Sequence, residues 1–369
     1  MTSRGEVTGE TDAFPTWRVG IHTSIAGSFD QAAEKAHNLT CTAFQIFSSS
    51  PRMWNAREPR SEELAAMSRL RLLYDLHPLV IHANYLINLA SANPALRKQS
   101  LEAFRGEIGR AAALGAEFLV LHPGSFRDTS VESGIRNIAA SMREAIGDTP
   151  LRGVSVLIEN TAGQGSCIGK TFEELQDILA LLDGLPIGCC IDTAHCFAAG
   201  MDISTSEGLE KIINSLERTV GLDKVKIIHT NDSRSAMGSR LDRHEHIGKG
   251  GIGMVGFGRI VNHPALRDKT FILETPFDAP EDGIRNMKAI RSLRLEDKRK
   301  LKIRHATDEK QNNEEKQTRH RAPQAAVPGI QLSDHSTDRN GPAANSRQAV
   351  SRITRTTGSG VRQSGKANR

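Results

Sequence analysis

The sequence predicts a closed (β/α)8 barrel, the TIM-barrel form of the α/β class, as a single domain with a disordered basic C-terminal tail. Three observations predict it. Eight short apolar, β-branched runs alternate with helical stretches. All eight units fit within roughly 280 residues, which suits a closed barrel better than an open sheet. Seven of the eight runs end on His, Asp or Glu.

The strand candidates, in order, are Arg18–His22, Ala43–Phe47, Leu79–His82, Phe118–His122, Ser155–Glu159, Gly188–Asp192, Lys226–His229 and Thr270–Glu274. Each is a continuous apolar run rather than an alternating one, as strands of a parallel sheet covered by helices are. Helical periodicity lies between them at Phe29–His37, Glu62–Tyr74, Ala95–Leu114, Phe172–Leu182 and Glu207–Val220. Ser61 is the candidate N-cap of the second. Thr171 caps the fourth, with Glu174 three residues on as its capping-box partner. Val255–Asn262 is a weaker helix behind a Gly-rich loop.

Composition divides the chain into a flexible N-terminal extension (1–16), the barrel (17–297) and the tail (298–369). The tail carries 16 Lys and Arg against 6 Asp and Glu, a net of +10 in a chain of +5, so residues 1–297 carry −5. The basic character therefore belongs to the tail, which is too polar to offset its chain entropy by burial. It reads as a dispensable extension or as an arm for polyanions. No apolar run of 18 residues exists, which argues against a membrane span. The first residues lack the pattern of a secretory signal. Five Cys without CxxC spacing read as reduced core thiols, and the chain as cytoplasmic. A metal or nucleophile role for Cys189, Cys190 or Cys196 is the weaker reading.

The strand ends are His22, Phe47, His82, His122, Glu159, Asp192, His229 and Glu274. In a barrel these ends meet on one face, where barrel active sites are built. So many ionisable groups on one mouth repel or stay unpaired unless cations sit among them. Asp192-Thr-Ala-His195 adds an imidazole, and Asp242-Arg-His244 adds a carboxylate and an imidazole on one side of an extended segment. His82, His122, Glu159, Asp192, His195, His229, Asp242, His244 and Glu274 then make nine candidate ligands. Nine exceed one tetrahedral zinc and suit three ions with one bridging carboxylate. Three divalent cations would leave the −5 body near neutral, with positive charge at the mouth.

The motifs that carry these residues are His82-Ala-Asn-Tyr-Leu-Ile-Asn-Leu89, His122-Pro-Gly-Ser125, Ile158-Glu-Asn-Thr-Ala-Gly-Gln-Gly165, Ile191-Asp-Thr-Ala-His195, His229-Thr-Asn-Asp232 and Gly238-Ser-Arg-Leu-Asp-Arg-His244. From about Arg18 to Arg291 the chain resembles endonuclease IV, the zinc-dependent class of apurinic/apyrimidinic endonucleases. The resemblance implies a DNA-repair phosphodiesterase that cuts double-stranded DNA 5′ to an abasic site, leaving a 3′-hydroxyl and a 5′-deoxyribose phosphate. It implies three Zn2+ per chain, with Mn2+ possible in part. His82, His122 and Glu159 would hold one ion. Glu159, the bridge and catalytic carboxylate, would share a second with Asp192, His229 and Glu274. His195, Asp242 and His244 would hold the third. The nucleophile would be hydroxide generated by the ions rather than a side chain. Arg52, in Ser50-Pro-Arg-Met-Trp54, with Tyr85 and Leu86, matches loop residues that the family inserts at the lesion. Pro51 and Met53 depart from the usual pattern there. A monomer is expected.

Gly248-Lys-Gly-Gly-Ile-Gly253 fits a dinucleotide fingerprint by spacing but follows a polar stretch rather than a strand, so a mobile loop is expected instead. Glu245 and His246 are lesser candidate ligands. A sugar isomerase or epimerase on the same barrel is the alternative function. It needs Glu159, Asp192, His229 and Glu274 but not His82, His122, His195, Asp242 and His244. A non-catalytic DNA-binding scaffold is a further alternative, though it would tolerate loss of ligands.

Overall fold

A computed structural model of the chain describes residues 17–295. The extension over 1–16 and the tail over 298–369 lie outside the described residues. In chain order the elements are β1 (Val19–Ile21), α1 (Phe29–Asn38), β2 (Phe44–Phe47), α2 (Ser61–Leu73), β3 (Leu79–His82), α3 (Pro94–Ala113), β4 (Phe118–Leu121), α4 (Val131–Asp148), β5 (Ser155–Glu159), α5 (Phe172–Leu181), β6 (Ile187–Asp192), α6 (Thr193–Ala199), α7 (Ser206–Thr219), β7 (Val225–His229), β8 (Asp232–Ser233), β9 (His244–Glu245), α8 (Gly253–Asn262), β10 (Thr270–Leu273) and α9 (Asp282–Arg291).

Eight parallel strands run in the order β1-β10-β7-β6-β5-β4-β3-β2. The ring closes where His22 bridges Gln45 in parallel, with Thr23 N–H donating to the Gln45 carbonyl at 2.8 Å. The closure is tight. A Cβ on Gly20 would stand 1.7 Å from the Ala43 carbonyl oxygen, so only glycine lets β1 approach β2. This is the TIM-barrel architecture predicted from the alternation.

Side-chain alternation then decides where the chemistry falls. Ala43, just ahead of β2, and Val80, Val120, Leu157, Cys190, Ile227 and Ile272, one from each of six strands, form a separate buried cluster filling the barrel interior. With a period of two, the residue two places further along each strand also faces inward, nearer the mouth. Those residues are Gln45, His82, His122, Glu159, Asp192, His229 and Glu274. Alternate apolar strand residues, such as Phe44, Ile46, Leu79, Ile81, Val156 and Ile158, belong instead to the larger core shared with the helices. On α1 the buried Phe29, Ala32, Ala33 and Ala36, and on α7 Leu209, Ile212, Ile213 and Leu216, keep the i, i+3, i+4, i+7 spacing of a single covered stripe.

Helix starts refine the sequence expectations. Ser61 is the first residue of α2 rather than its N-cap. Glu63 takes over the capping, accepting the Arg60 N–H at 2.9 Å while pairing with Arg57 at 2.6 Å. Thr171 does cap α5, accepting from Glu174 N–H at 3.3 Å. Glu174 itself reaches past it to the N–H groups of Gly169 and Lys170. Helices α4, α6 and α9 and the β8–β9 pair add to the elements singled out from periodicity. Four cysteines are buried, but Cys167 is only half-buried and lines a surface cavity, so it is not a core thiol.

Candidate metal centre

Each ligand candidate is set by a local rule. Glu159, Asp192 and His229 end β5, β6 and β7 and are fully buried. Asp192 also caps α6, its Oδ1 accepting the His195 N–H at 2.8 Å, which fixes His195 one turn along. His244 lies in β9, and Asp242 sits two residues before it on the same side.

The structure gathers all nine. Glu159 presents Oε2 at 3.4 Å from His82 Nε2 and 3.2 Å from His122 Nε2. Its other oxygen, Oε1, lies 2.9 Å from His229 Nδ1, which is also 3.3 Å from Glu274 Oε2. Asp242 spans the third group, with Oδ2 at 3.2 Å from His195 Nε2 and Oδ1 at 3.2 Å from His244 Nε2. Asp192 Oδ2 is 3.7 Å from His244 Nε2, so it faces the second and third groups together. Three clusters with mutually close donor atoms result: His82, His122 and Glu159; Glu159, Asp192, His229 and Glu274; Asp192, His195 and His244.

The donor set fits cations on three grounds. Among the described residues, no Lys or Arg pairs with Glu159, Asp192, Asp242 or Glu274; their ion-pair partners are histidines. Buried Glu159 Oε2 and His244 Nε2 make no hydrogen bond there either. Third, the ring nitrogens turned away from the cluster are held by acceptors. His82 Nδ1 donates to the Ala83 carbonyl (2.8 Å), His195 Nδ1 to that of Asn160 (2.9 Å) and His244 Nδ1 to that of Glu274 (3.1 Å). A carbonyl only accepts, so the proton sits on Nδ1 and the Nε2 lone pair faces inward.

The carboxylates draw positive charge to this pocket. Burial opposes an imidazolium at His244, but the Asp242 carboxylate 3.2 Å away and the Asp192 charge outweigh this and push it up to about 9. Burial likewise opposes charge on Glu159, yet the neighbouring His229 and His122 hold it well below the usual carboxylate range.

The sequence reading missed three residues that organise these ligands. Gln45 is fully buried in β2. Its Oε1 accepts from His229 Nε2 at 2.8 Å, and its Nε2 donates to Glu274 Oε1 at 2.5 Å. Asn231 Nδ2 donates to Asp192 Oδ2 at 2.5 Å, and its Oδ1 accepts the Glu274 N–H at 2.6 Å. Asn160 Oδ1 accepts the Asp192 N–H at 2.6 Å. A lone amide inside an apolar strand was the available signal for Gln45. Phe47, the expected end of that run, lies one pleat beyond it and packs edge-on against Tyr85 at 5.2 Å and His82 at 5.5 Å.

Arg52 and Tyr85 are exposed and Leu86 is half-buried, on loops after β2 and β3 that border the ligands. Asn84 ties the two loops together. Its Nδ2 donates to the carbonyls of Ser50 (3.2 Å) and Met53 (2.5 Å), and Tyr85 N–H donates to Pro51 at 3.2 Å. A cavity of about 460 Å3 opens against the ligand candidates His122, His195 and Asp242, lined also by Gln164 and Cys167 among others.

Lesser candidates fall away. Glu245 pairs with Arg234 at 2.9 Å. His246 is grouped with Asp278 and Asp282, but Asp282 already accepts from two backbone N–H groups and Arg285. Cys190 lies under Glu159 and His229, where burial pushes its thiol up to about 12.

Residues 33–294 match the family described as xylose isomerase-like TIM barrel. The chain is 50% identical over 279 residues to the probable endonuclease 4 of Solibacter usitatus (strain Ellin6076), covering 75% of this chain and 96% of the relative. The chain belongs to the endonuclease 4 family. Its similarity to the probable endonuclease 4 of Halothermothrix orenii is 40% over 260 residues, covering 70% of this chain and 93% of that one. The crystal structure of endonuclease IV from Thermus thermophilus is 39% identical with a TM-score of 0.67, covering 75% of this chain and 98% of that one. A D-tagatose 3-epimerase-like protein superposes with a TM-score of 0.57 at 20% identity, covering 74% of this chain and 96% of that one. That likeness is one of fold. It leaves the isomerase alternative without support from His82, His122, His195, Asp242 and His244, which the endonuclease 4 reading uses and an isomerase does not need.

Proposed function

We propose that this endonuclease hydrolyses double-stranded DNA on the 5′ side of an abasic site, using three divalent ions, chiefly Zn2+, held by the nine gathered side chains. The observation that carries the reading is the position of Glu159. One carboxylate faces two histidine clusters at once, with Oε2 towards His82 and His122 and Oε1 towards His229, as a bridge between two ions requires. Bound divalent ions supply hydroxide at neutral pH and neutralise charge developing on the phosphate and the leaving oxygen.

The chain's own residues hold that chemistry in place. Against burial, neighbouring imidazoles hold Glu159 and Glu274 below the usual carboxylate range, and Gln45 and Asn231 fix which oxygen and nitrogen atoms face the pocket. His82, His195 and His244 are locked by their Nδ1–H bonds, so their geometry needs little reorganisation when a substrate arrives. Arg52, Tyr85 and Leu86 border the same mouth and fill the gap in the base stack at a lesion, where there is no base to unstack. The edge contact of Tyr85 with Phe47, and the Asn84 bonds between the loops, make that wedge stiff.

Among the described residues no helix is long and apolar enough to cross a membrane. A monomer is expected. The test is incubation of the full-length chain with a duplex bearing one abasic site, with and without chelator. Chelator-sensitive cleavage leaving a 3′-hydroxyl and a 5′-deoxyribose phosphate supports the reading. Equal cleavage of undamaged duplex removes the abasic specificity, and bound metal of one ion or fewer per chain removes the trinuclear centre.

A further inference from the structure

The glycine-rich run Gly248–Gly253, which resembles a phosphate-binding fingerprint by spacing, already holds an anion. That anion is the chain's own Asp232. Its side chain is fully buried at the start of β8. Oδ2 accepts the N–H groups of Gly248 and Gly250, both at 2.9 Å. Oδ1 accepts those of Ile252 and Ser233, also at 2.9 Å. Gly253 N lies 3.4 Å from Oδ1 and 3.3 Å from Oδ2. Among the described residues no Lys, Arg or His forms an ion pair with Asp232. The buried charge is held by peptide dipoles, as in a backbone nest.

The glycines fit this use. Gly248 and Gly253 have φ of +82° and +69°, and a Cβ on Gly250 would stand 2.4 Å from the Ser233 carbonyl oxygen and 2.5 Å from Asp232 Oδ1. The motif is a wrapping around an internal carboxylate and leaves no room for a nucleotide phosphate.

The wrapping matters because of what lies between its two ends. From Ser233 the chain makes a largely exposed excursion and returns at His244, so that Ser233 pairs with His244 and Asp232 with Glu245. A pair of two-residue strands is marginal by itself. The tip of the excursion is tied to α6 by Gly238 N–H to Phe197 and Arg240 N–H to Ala198. On the far side of His244, Asn286 holds Ile247 N–H and His246 Nδ1, both at 3.0 Å, and the Ser233 carbonyl holds Gly251 N–H at 2.9 Å, while the Asp232 cradle gathers Gly248, Gly250 and Ile252. Asp242 and His244 are the two third-cluster residues carried by this segment.

We propose that Asp232 is a positioning residue for the cluster of His195, Asp242 and His244: an internal anion around which the glycine loop folds, so that His244 and Asp242 face His195. The proposal rests on the reading that this cluster holds an ion. Asp232 touches neither ion nor substrate. It acts by fixing the flank of His244, and the first two clusters, built on barrel strands, do not depend on it.

The test counts ions per full-length chain by elemental analysis along a chelator titration, with folding followed by circular dichroism. Parent, Asp232→Asn, Gly250→Ala and His244→Ala are compared. Asp232→Asn turns one accepting oxygen into a donor facing other donors. Gly250→Ala leaves the carboxylate intact and crowds the cradle from the loop side, and so stands in if the first variant fails to fold. Both are expected to release one of three ions at a chelator concentration at least tenfold below that for the parent, as His244→Ala does, while two ions and the folded signal remain. Retention of the third ion within twofold of the parent overturns the proposal. So does joint loss of all three ions in step with unfolding of both variants, since that marks a general structural role. A parent that binds only two ions, or a His244→Ala that loses none, refutes the metal reading of the cluster instead.

Discussion

Gln45 offers the sharpest test of how the barrel prepares its ligands. Substitution Gln45→Leu keeps similar bulk in the fully buried position and deletes three polar contacts, to His229, Glu274 and His22 Nδ1, the last at 3.0 Å. His229 Nε2–H loses its acceptor at 2.8 Å, which no longer dictates that Nδ1 faces Glu159. Glu274 Oε1 loses its donor at 2.5 Å. A hydrogen bond to a charged group contributes about 1.5–3 kcal/mol, and removal of groups that orient metal ligands typically weakens metal affinity 10–100-fold. That range corresponds to about 1.4–2.8 kcal/mol, so loss of roughly one such bond's worth accounts for it. The expected result is a 10–100-fold weaker affinity for the ion shared by Glu159, Asp192, His229 and Glu274, read by competition with a chelating indicator. Cleavage of an abasic duplex at limiting metal falls in parallel and recovers at excess metal. Gln45→Glu separates the contacts to the two ligands: it keeps an acceptor for His229 but sets a carboxylate against Glu274. Metal affinity of Gln45→Leu within twofold of the parent would refute the idea that this amide orients the ligands.

Three further outcomes follow from the same geometry. Glu159→Gln is expected to lower cleavage by more than a hundredfold and to reduce bound metal in the first two clusters together, because one carboxylate faces both; activity within tenfold of the parent contradicts the bridging role. Arg52→Ala and Tyr85→Ala are each expected to weaken abasic-duplex binding by about 1–3 kcal/mol with unchanged metal content, while hydrolysis of a flexible phosphodiester changes little; equal losses on both substrates rule out the wedge. Glu63 is held below the usual carboxylate range by its hydrogen bonds from Arg57 and the Arg60 N–H, with burial opposing. Its stabilisation is therefore complete above the unfolded-state value of about 4.3 and is lost as the pH falls towards the folded value. Glu63→Gln should melt below the parent at pH 7, with the gap closing below about pH 4; a gap independent of pH excludes the ionised pair as its cause.

The barrel was legible because its signals are local and repeated. Leu79–His82 and Ser155–Glu159 occupy the bounds read from apolar runs alone, and the other strands shift by a residue at their ends. Six of the nine ligand candidates were legible because parallel strands force the ends of all runs to one face, and His195, Asp242 and His244 because short motifs place them beside those ends. Less was visible where the partner lies far along the chain. Glu63 outcompeted Ser61 at the start of α2 because Arg57 lay within its reach. Gln45 and His229 are separated by 184 positions, and no local pattern relates them.

Sequence alone therefore determined the order of elements, the residue types at the mouth and the family to which they point, since these follow from periodicity and from covalent adjacency. Tertiary structure decided which oxygen of Glu159 faces which histidine, that Gln45 rather than Phe47 supplies the inward polar residue of β2, and that the glycine loop encloses Asp232 instead of a phosphate. Each of those depends on distances between segments brought together only when the barrel closes. Hydrogen bonds fix direction over about 3 Å, a scale on which separation along the chain carries no information.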